Sequence, residues 1–443
     1  MKRIIDHYLQ EWREQPKRKA LLLRGARQVG KTFSVRALGE TFDEFVEVNL
    51  EMRPDVAKVF EYNLEPGRIV RELRLLLGKE ISPGKSLLFF DEVQQHPQAL
   101  TALRYFHEQM PELHTIAAVS LLEFTLEQVG LPVGRVTSLH MYPMSFIEFL
   151  AACGQSPILH SLLDAEGTAL DGEALHGRLL RLLGEYLAIG GLPEVVGEWV
   201  EGQDLLQCQE VLDVIVSGYR QDFLKYAKVH QIKYVDLIFN EIPVLLSRKF
   251  KYSALPGSWK ARELSPALDL LCKAGVVHKV TQSTGHALPL KAGSKPQHFK
   301  PLYLDIGLAQ RVMSTDVRPW LVDPDSSIGN ISAIIEAFVG QEMLAYDNPK
   351  SKVELFYWHR EARSSNAEID YLLALDGKIL PLEVKAGCTG SLRSLGRFLE
   401  EKPDTPHGVR FWSGGLATEP TLHSYPLYAI AHLFRESIPR DWF

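Results

Sequence analysis

The residues with the most specific chemical pattern lie near the start of the chain. Their spacing is G-x-x-x-x-G-K-T, between an apolar run that predicts a buried strand and a stretch of helical period. In that setting backbone amides and a helix N-terminus surround phosphates, Lys31 reaches the β and γ phosphates, and Thr32 offers its hydroxyl to Mg²⁺. We therefore predict a site for ATP with Mg²⁺. Its predicted binding residues are Gly25, Ala26, Arg27, Gln28, Val29, Gly30, Lys31, Thr32 and Phe33.

Two adjacent acids follow a second apolar run and complete this predicted site. Asp91 and Glu92 come directly after the run from Leu87 to Phe90. A carboxylate at the end of a buried strand is costly unless a cation or hydrogen bonds compensate it. We expect Asp91 to hold Mg²⁺ through its water shell, Glu92 to orient the water that attacks the γ phosphorus, and Lys31 to take part in catalysis. The alternative is that the two acids cap a helix.

A second group of charged residues lies near the C-terminus. Strand alternation places Glu383 and Lys385 on one face, and the preceding strand of a hairpin brings Asp370 alongside them. Converging carboxylates repel one another and are tolerated when a divalent metal lies between them, as metal-assisted phosphodiester hydrolysis requires. The pattern predicts a second Mg²⁺ or Mn²⁺ site, with Lys385 positioning the attacking water. The alternative is that Lys385 neutralises Asp370 and Glu383 in an inactive, structural cluster.

The elements that must position the phosphate site alternate along the first third of the chain. Short apolar runs there are separated by longer segments of helical period, a pattern typical of buried parallel strands covered by helices. The runs are Ala20 to Leu23, Phe45 to Leu50, Ser86 to Phe90 and Thr115 to Val119. At 443 residues the chain is long enough for roughly three such units.

Beyond residue 146 the strand signals fade, and leucines recur at helical spacing. The run from Gly190 to Pro193 predicts a corner between two helices, with a catalytic role as the alternative. Helices and then a two-stranded ribbon, with its second strand near Leu288, indicate a winged helix over 231–313. Proline, serine and aspartate dominate 314–330, which predicts a surface linker. A helix over 331–346 and strands at 353–359, 368–375 and 379–385 follow.

Composition limits the classes of partner without choosing one. The formal net charge is -6, which argues against a protein covered in basic surface for nucleic acid. A local basic group near the presumed recognition helix still allows contact with DNA, and the alternative is a solvated basic face. That group is Lys249, Lys251, Lys260 and Arg262.

The compartment is predicted from what the sequence lacks. The four cysteines lie far apart, which predicts free thiols rather than disulfides or structural zinc. The first residues have no apolar stretch of a secretory signal, and no later segment has the length of a membrane span. We expect a soluble, cytoplasmic protein with no membrane contact.

The region from Arg3 to Leu150 resembles the AAA-type ATPases of the P-loop class, and nearly the whole chain resembles one prokaryotic branch of them. The segments that carry the narrower resemblance are 115–124, 134–136, 142–150, 190–194, 219–223 and 302–308. The resemblance implies a parallel five-stranded core, with Ser120 as a sensor of the γ phosphate and Arg135 as a transition-state arginine. It also implies a glycine where this chain has Val119. The alternative for Arg135 is a salt bridge that packs the strand after it.

The C-terminal strands resemble the PD-(D/E)xK nuclease fold. This resemblance implies a further acid on the preceding helix, which is Glu336 or Glu342, and Glu336 fits the family pattern better. Together the two resemblances predict a multidomain α/β chain. Its predicted units are an AAA-type core at 1–150, a helical lid at 151–230, a winged-helix module at 231–313, a linker at 314–330 and a restriction-endonuclease-like domain at 331–443.

Three functions are compatible with these observations. The first is an ATP-hydrolysing switch or motor that acts on nucleic acid or on a protein partner. The second is a metal-dependent DNA nuclease that the ATPase gates. The third is a nucleotide-dependent interaction module with an inactive nuclease fold. A homo-oligomer is left open, because arginines such as Arg135 often act on the nucleotide of a neighbouring subunit.

Overall fold

A computed structural model describes residues 1–120, 134–163, 172–360, 367–387 and 391–439 of the chain. Residues 121–124, which belong to the resemblance given above, and Cys388 lie outside the described residues. Within the described residues, no helix combines the length and the apolar character needed to cross a bilayer.

Five parallel strands form the N-terminal sheet, in the order β2-β3-β4-β1-β5. This arrangement confirms the predicted parallel five-stranded core. All of β3 and β4 is buried, because helices cover both faces of the sheet and leave no polar face for alternation. The strands are β1 (Ala20–Arg24), β2 (Glu44–Asn49), β3 (Ser86–Asp91), β4 (His114–Val119) and β5 (Val136–His140).

Successive residues of these strands pack into two different cores. Leu21 and Leu23 belong to one core with α1 and α2 and with the rest of the chain, whereas Leu22 belongs to a second core with α4 and α5. Because successive side chains of a strand point to opposite faces, each strand packs against both helical layers, and the sheet lies between them. The helices are α1 (Ile4–Glu14), α2 (Lys31–Gly39), α3 (Pro54–Ala57), α4 (Pro66–Leu77) and α5 (Pro97–Gln109).

A helical segment follows the sheet. It consists of α6 (Phe146–Ala152), α7 (Ser156–Leu163), α8 (Glu173–Ile189), α9 (Pro193–Gly202) and α10 (Leu205–Tyr226). The run from Gly190 to Pro193 forms the corner between α8 and α9. Gly190 has a φ of +80°, a conformation that glycine adopts without strain, and Pro193 begins the next helix.

Two helices and a hairpin come next. They are α11 (Ile232–Glu241), α12 (Ala261–Lys273), β6 (Val277–Ser283) and β7 (Ser294–Tyr303). The order of helices followed by a two-stranded ribbon agrees with the prediction, but the second strand begins at Ser294 rather than near Leu288. A short 3-10 turn at Leu290–Gly293 occupies the intervening residues.

The hairpin belongs to an eight-stranded mixed sheet that also contains the C-terminal strands, in the order β12-β13-β11-β10-β9-β8-β6-β7. Strand β6 pairs in parallel with β8, and Val280 lies opposite Leu355. The ribbon and the C-terminal unit therefore share one sheet across the predicted boundary. The remaining strands are β8 (Leu355–His359), β9 (Glu368–Leu375), β10 (Lys378–Val384), β11 (Gly408–Trp412), β12 (Ala417–Glu419) and β13 (Leu422–Pro426).

The segment 314–330 differs from the surface linker that its composition predicts. It holds two short helices, and Trp320 in the first of them is among the largest fully buried side chains. The indole of Trp320 donates a hydrogen bond of 2.7 Å to the side chain of Gln310. The last helices are α13 (Ile306–Val312), α14 (Arg318–Val322), α15 (Pro324–Asn330), α16 (Ser332–Tyr346) and α17 (Arg393–Glu401).

Candidate functional site

The phosphate loop connects the end of β1 to the start of α2, as the sequence predicts. The structure explains why both positions, Gly25 and Gly30, are occupied by glycine. A side chain at Gly25 would overlap the backbone oxygen of Met141, and Gly30 has a φ of +95°. Gln28 also adopts a positive φ, of 65°. The loop is therefore tightly folded, and it places the N-terminus of α2 at the end of the strand, where an anion is favoured.

Lys31 folds back over its own loop. Its ammonium donates hydrogen bonds to the backbone oxygens of Gly25, at 3.0 Å, and of Ala26, at 2.7 Å. The side chain is buried, and burial lowers the pKa of Lys31 to about 8, although Glu92 and Asp91 oppose that shift. The ammonium of Lys31 is thus hydrogen-bonded to the loop that is predicted to bind phosphate.

Thr32 and Asp91 meet at the ends of α2 and β3. The Thr32 hydroxyl donates to one carboxylate oxygen of Asp91 at 2.9 Å, and the backbone N–H of Glu92 donates to the other at 3.0 Å. Burial and the neighbouring Glu92 raise the pKa of Asp91. A hydroxyl beside a buried carboxylate at the end of a phosphate loop is a donor set that suits Mg²⁺ with a triphosphate. These residues therefore fit the predicted metal.

Glu92 belongs to a small polar cluster with Gln94, in the turn that follows it, and with Ser120, which follows the adjacent strand β4. Its carboxylate accepts a hydrogen bond of 3.1 Å from the Ser120 hydroxyl and another from the Gln94 amide. The Gln94 amide also donates to Ser120 at 3.1 Å. Glu92 has a positive φ of 53°, so the turn after β3 directs it away from the strand axis. The predicted catalytic acid and the predicted sensor are thus in direct contact.

Arg3 is a site residue that the sequence did not reveal. It is buried, and its guanidinium donates to the backbone oxygen of Val29 at 2.8 Å, to that of Tyr142 at 2.9 Å and to Glu148 at 2.9 Å. Arg3 therefore links the phosphate loop to the segment that follows β5. A single arginine near the start of a chain carries no motif by which sequence reasoning could single it out.

Helix α10 also contacts the phosphate loop. Arg27 forms an ion pair with Asp222, and the Tyr219 hydroxyl donates to the backbone oxygen of Arg27 at 2.7 Å. Tyr219 and Asp222 belong to the segments that carried the family resemblance. Their contact with Arg27 gives that part of the sequence a physical role, because it joins the loop to the helical segment.

The corner at Gly190 and the segment 302–308 also meet. Buried Asp305 accepts a hydrogen bond from the backbone of Gly191 at 2.7 Å and from that of Leu308 at 2.9 Å. A side chain at Gly190 would overlap the Asp305 carboxylate, and one at Gly307 would overlap the backbone of Ile189. This contact fixes α9, whose Pro193 lies near Gly30 of the phosphate loop.

Arg135 lies far from the phosphate loop of its own chain. It directly precedes β5, whose first residue Val136 pairs with Ala20, whereas the loop follows Arg24 at the other end of β1. Its guanidinium forms a salt bridge of 2.6 Å with Glu108. A five-residue strand spans about 16 Å, so Arg135 does not reach a nucleotide bound within the same chain. Within its own chain, Arg135 therefore takes the alternative role, a salt bridge that packs the strand after it.

The predicted C-terminal acids do converge, but around a lysine that the sequence did not reveal. The ammonium of buried Lys300, on β7, lies 2.7 Å from Glu368, 3.0 Å from Glu336 and 3.6 Å from Asp370. Burial lowers the pKa of Lys300, but these carboxylates outweigh that effect and hold the pKa well above its ordinary value. Among the described residues, no group of acids, histidines or cysteines is arranged to hold a metal ion.

Glu383 and Lys385, the other residues of the predicted nuclease site, form an ion pair beside this cluster. Burial, and then the nearby Asp370, raise the pKa of Glu383. Lys385 pairs with Glu383 at 2.5 Å, and the backbone N–H of Val384 donates to Asp370 at 2.8 Å. Glu342, the alternative helical acid, is not part of the cluster. It accepts hydrogen bonds of 3.0 Å from the backbone of Phe146 and lies against Tyr346. Glu342 therefore caps the N-terminus of α6.

Comparison with known families agrees with the geometry of the phosphate site. Residues 17–150 match a family model described as an AAA domain. The N-terminal segment is an AAA-type domain. Residues 180–318 and 332–431 match two further models, each described as a domain of unknown function. Among curated proteins, none matches this sequence.

Two solved structures show a distant likeness to this chain. A Walker-type ATPase of Pyrococcus abyssi is 17% identical, covers 70% of this chain with 94% of its own, and has a TM-score of 0.44. Drosophila ORC bound to DNA is 15% identical, covers 70% of this chain with 95% of its own, and has a TM-score of 0.28. The assignment of the N-terminal segment rests on the family match and on the site itself.

Proposed function

We propose that this protein hydrolyses ATP and uses the reaction to switch the contacts between its AAA-type domain and the helices packed on it. The observation that carries the proposal is the hydrogen bond of 2.9 Å from Thr32 to Asp91, next to the buried ammonium of Lys31. A hydroxyl, a carboxylate and a lysine in this arrangement are the groups that bind a triphosphate and its metal in P-loop proteins. The AAA-type match over residues 17–150 supports the same function.

Each side chain of the site has a role in this proposal. Lys31 leaves the backbone oxygens of Gly25 and Ala26 and pairs with the β and γ phosphates. Thr32 and Asp91 hold Mg²⁺, which supplies positive charge against the phosphate oxygens when bound. Glu92 polarises the attacking water, and Ser120 holds the Glu92 carboxylate in position.

The switch follows from the contacts of Arg27. This loop residue is bound by Asp222 and by Tyr219, both on α10. Phosphates bound to the neighbouring loop amides favour one conformation of the loop, and the contacts of Arg27 with α10 depend on that conformation. Binding and release of the γ phosphate therefore change the contacts between α10 and the loop. We propose that the resulting movement acts on a nucleic acid or on a protein partner.

Replacing Lys31 and Glu92 separates binding from turnover and tests the proposal. In Lys31→Ala the loop lacks its buried ammonium, and ATP affinity should fall by about 10-fold or more, which corresponds to about 1.4 kcal/mol. In Glu92→Gln the loop is intact, and kcat should fall by about 100-fold or more while ATP still binds. Steady-state phosphate release and fluorescence titration with an ATP analogue measure the two effects.

Two exposed residues of the same domain give matched controls for these substitutions. Lys58→Ala and Glu61→Gln remove the same charges away from the site and should leave both quantities unchanged. Hydrolysis at the wild-type rate in both Lys31→Ala and Glu92→Gln would remove the ATPase assignment.

We do not extend the proposal to metal-dependent cleavage of DNA. Lys300 lies among Glu336, Glu368 and Asp370, where its ammonium takes the position between the carboxylates that a catalytic metal would need. Of the basic residues assigned to DNA contact, Lys249 instead pairs with Glu368 at 3.2 Å. Magnesium-dependent cleavage that disappears in Asp370→Ala would contradict this structural role of the cluster.

A further inference from the structure

A cavity of about 340 Å³ lies beside the phosphate loop. The C-terminal edge of the five-stranded sheet forms one wall, with Arg24, Ser120 and the segment 140–142. The turn between α12 and β6 and the segment leading into β8 form the other walls. The lining includes Gly25 and Ala26 but, among the described residues, none of Gln28 to Thr32 and not Asp91. The cavity therefore borders the phosphate site, with which it shares Gly25, Ala26 and Ser120, but its lining does not include the residues predicted to hold the metal.

The lining of this cavity is strongly basic. Its cationic members are Arg24, Lys273, Lys279, Lys291 and Lys352. Among the described residues the lining has one carboxylate, Glu354, which pairs with Lys291 at 2.7 Å, and Lys279 lies 3.6 Å from the exposed carboxylate of Asp269 outside the lining. So many positive charges around one concavity in a chain of net charge -6 favour an anion, because the surrounding protein screens less than water does.

Two histidines in the same lining have lowered pKa values, mainly because they are buried and further because of the nearby cations. Burial, and then the nearby Arg24 and Lys352, lower the pKa of His140 to about 4. Burial and Lys352 lower the pKa of His278 to about 4 as well. Both rings are therefore neutral at physiological pH and can each donate one hydrogen bond and accept one.

His278 has an unsatisfied polar atom in this setting. Its Nε2 atom is buried and has no hydrogen-bond partner among the described residues. A buried polar atom without a partner costs about 1–3 kcal/mol, and a ligand that supplies the partner recovers that cost. The ring of Tyr142 lies 5.8 Å from the His278 ring and adds an aromatic surface to the same part of the cavity.

We propose that this cavity binds a phosphorylated small molecule of about mononucleotide size, in addition to the nucleotide at the phosphate loop. The excess of lysine and arginine suits an anion that carries more than one charge, and phosphate esters meet that requirement. The apolar side chains of Met141, Val277 and Phe356 line the same space and suit an organic group attached to the phosphate. The volume lies at the lower end of ordinary ligand pockets.

The position of the cavity couples its ligand to the nucleotide state. Its wall contains Ala26 of the phosphate loop and Ser120, which contacts Glu92. The turn at Gly275 packs directly on Ala26, since a side chain there would meet the Ala26 methyl group at 3.4 Å. A ligand that contacts both walls changes ATP affinity, and ATP changes the affinity for that ligand by the same factor.

The experiment starts from wild-type protein saturated with Mg²⁺ and a non-hydrolysable ATP analogue, so that the phosphate loop is occupied. Inorganic pyrophosphate and uridine 5′-monophosphate are then titrated by calorimetry. We expect one further site per chain for at least one probe. In Lys279→Gln with Lys352→Gln its affinity should fall about 10-fold or more, while affinity for the ATP analogue is retained. The matched control pair is Lys17→Gln with Lys58→Gln, two exposed lysines outside the cavity.

Three outcomes would overturn the proposal. They are the absence of a further site for both probes, an equal loss of affinity in the control pair, and binding only of a 20-nucleotide single strand, which would make the lysines a nucleic-acid surface. Thermal unfolding confirms that each variant is folded. The readout is binding, so it remains informative if the proposed ATP hydrolysis fails, and the same titration in Lys31→Ala distinguishes the two failures.

Discussion

The ammonium of Lys31 is already engaged before any phosphate arrives. It is hydrogen-bonded to Gly25 and Ala26 of its own loop, and burial lowers its pKa to about 8. Close to neutral pH most Lys31 side chains are therefore protonated, but half of them have lost the proton at about pH 8. Bound phosphate would favour the protonated form and raise that pKa again.

This position of Lys31 predicts a pH dependence of ATP binding. Below pH 8 the lysine is charged in the free protein, so affinity should be constant there as far as this group is concerned. As the pH rises above about 8, a proton must be taken up on binding, and affinity should fall by up to about tenfold per pH unit. Titration of the ATP analogue between pH 7 and 10 checks this, with Lys58→Ala as control; a flat profile would contradict it.

Lys300 is the residue on which the C-terminal cluster depends. In Lys300→Met the buried carboxylates of Glu336 and Asp370 lose their cation, and we expect a loss of about 3–5 kcal/mol in the free energy of unfolding. The loss should be smaller at pH 5.5 than at pH 8, because burial raises the pKa of Glu336 to about 8 and that carboxyl is protonated at the lower pH. Urea unfolding at pH 5.5 and pH 8 measures it.

Lys249 provides the matched control for Lys300. It pairs with Glu368 at 3.2 Å, but its side chain is 34% exposed, so Lys249→Met should cost less than about 1 kcal/mol. Equal effects of Lys249→Met and Lys300→Met would contradict the central position given to Lys300.

At the scale of elements, the contact between α13 and the end of α8 fixes the helices above the phosphate loop. In Gly307→Ala the new methyl group would overlap the backbone of Ile189, which cannot move without displacing α8. We expect a loss of about 1–3 kcal/mol in the free energy of unfolding. Gly218→Ala, within α10, meets open space and should be neutral or stabilising by about 0.5–1 kcal/mol. Chemical denaturation of the two variants decides the matter, and a similar effect of both would contradict it.

The elements also show where sequence reasoning succeeds. The strands of the AAA-type domain are visible because parallel strands buried on both faces form continuous apolar runs, and β1, β3 and β4 lie within one or two residues of the predicted runs. The phosphate loop and Asp91 were found because their spacing is local. The contacts of Lys31 and Thr32 with phosphate and Mg²⁺ stay predictions, whereas the hydrogen bond from Thr32 to Asp91 joins distant parts of the chain and was found only in the structure.

Long-range contacts explain what the sequence did not reveal. Lys300 reaches Asp370 only because β6 pairs with β8, and no local signal marks that pairing. Arg3 has its role through Val29 and Tyr142, which are remote along the chain. The resemblance favoured Glu336 over Glu342, and the geometry gives the physical reason, since six residues along a helix turn the side chain by about 240°.

At the scale of the whole molecule, Glu342 joins the C-terminal unit to the end of the AAA-type domain. It lies on α16 and caps α6 through Phe146. Burial raises the pKa of Glu342 to about 8, above the ordinary value of about 4.3 for an exposed glutamate. The folded state therefore retains a proton that the unfolded state loses, and the stability contributed by this group declines as the pH rises from about 4.5 to 8.

Glu342→Gln should remove that part of the pH dependence. Glutamine stays neutral and can still accept a hydrogen bond from Phe146, so the variant should match the wild type near pH 5. At pH 9 it should be more stable than the wild type by an amount on the order of a few kcal/mol. Urea unfolding at the two pH values measures the difference, and Glu61→Gln is the exposed control. Parallel pH profiles of the wild type and Glu342→Gln would contradict this account.

The pairing of β6 with β8 also constrains how the chain can be divided for experiments. A fragment that begins at residue 332 keeps β8 but lacks β6, so the backbone groups of β8 that face Val280 to Ser283 would become an exposed sheet edge. Such an edge promotes self-association and insolubility. Expression boundaries placed between the two C-terminal family segments would therefore yield aggregating material, whereas fragments that start before α12 retain the hairpin.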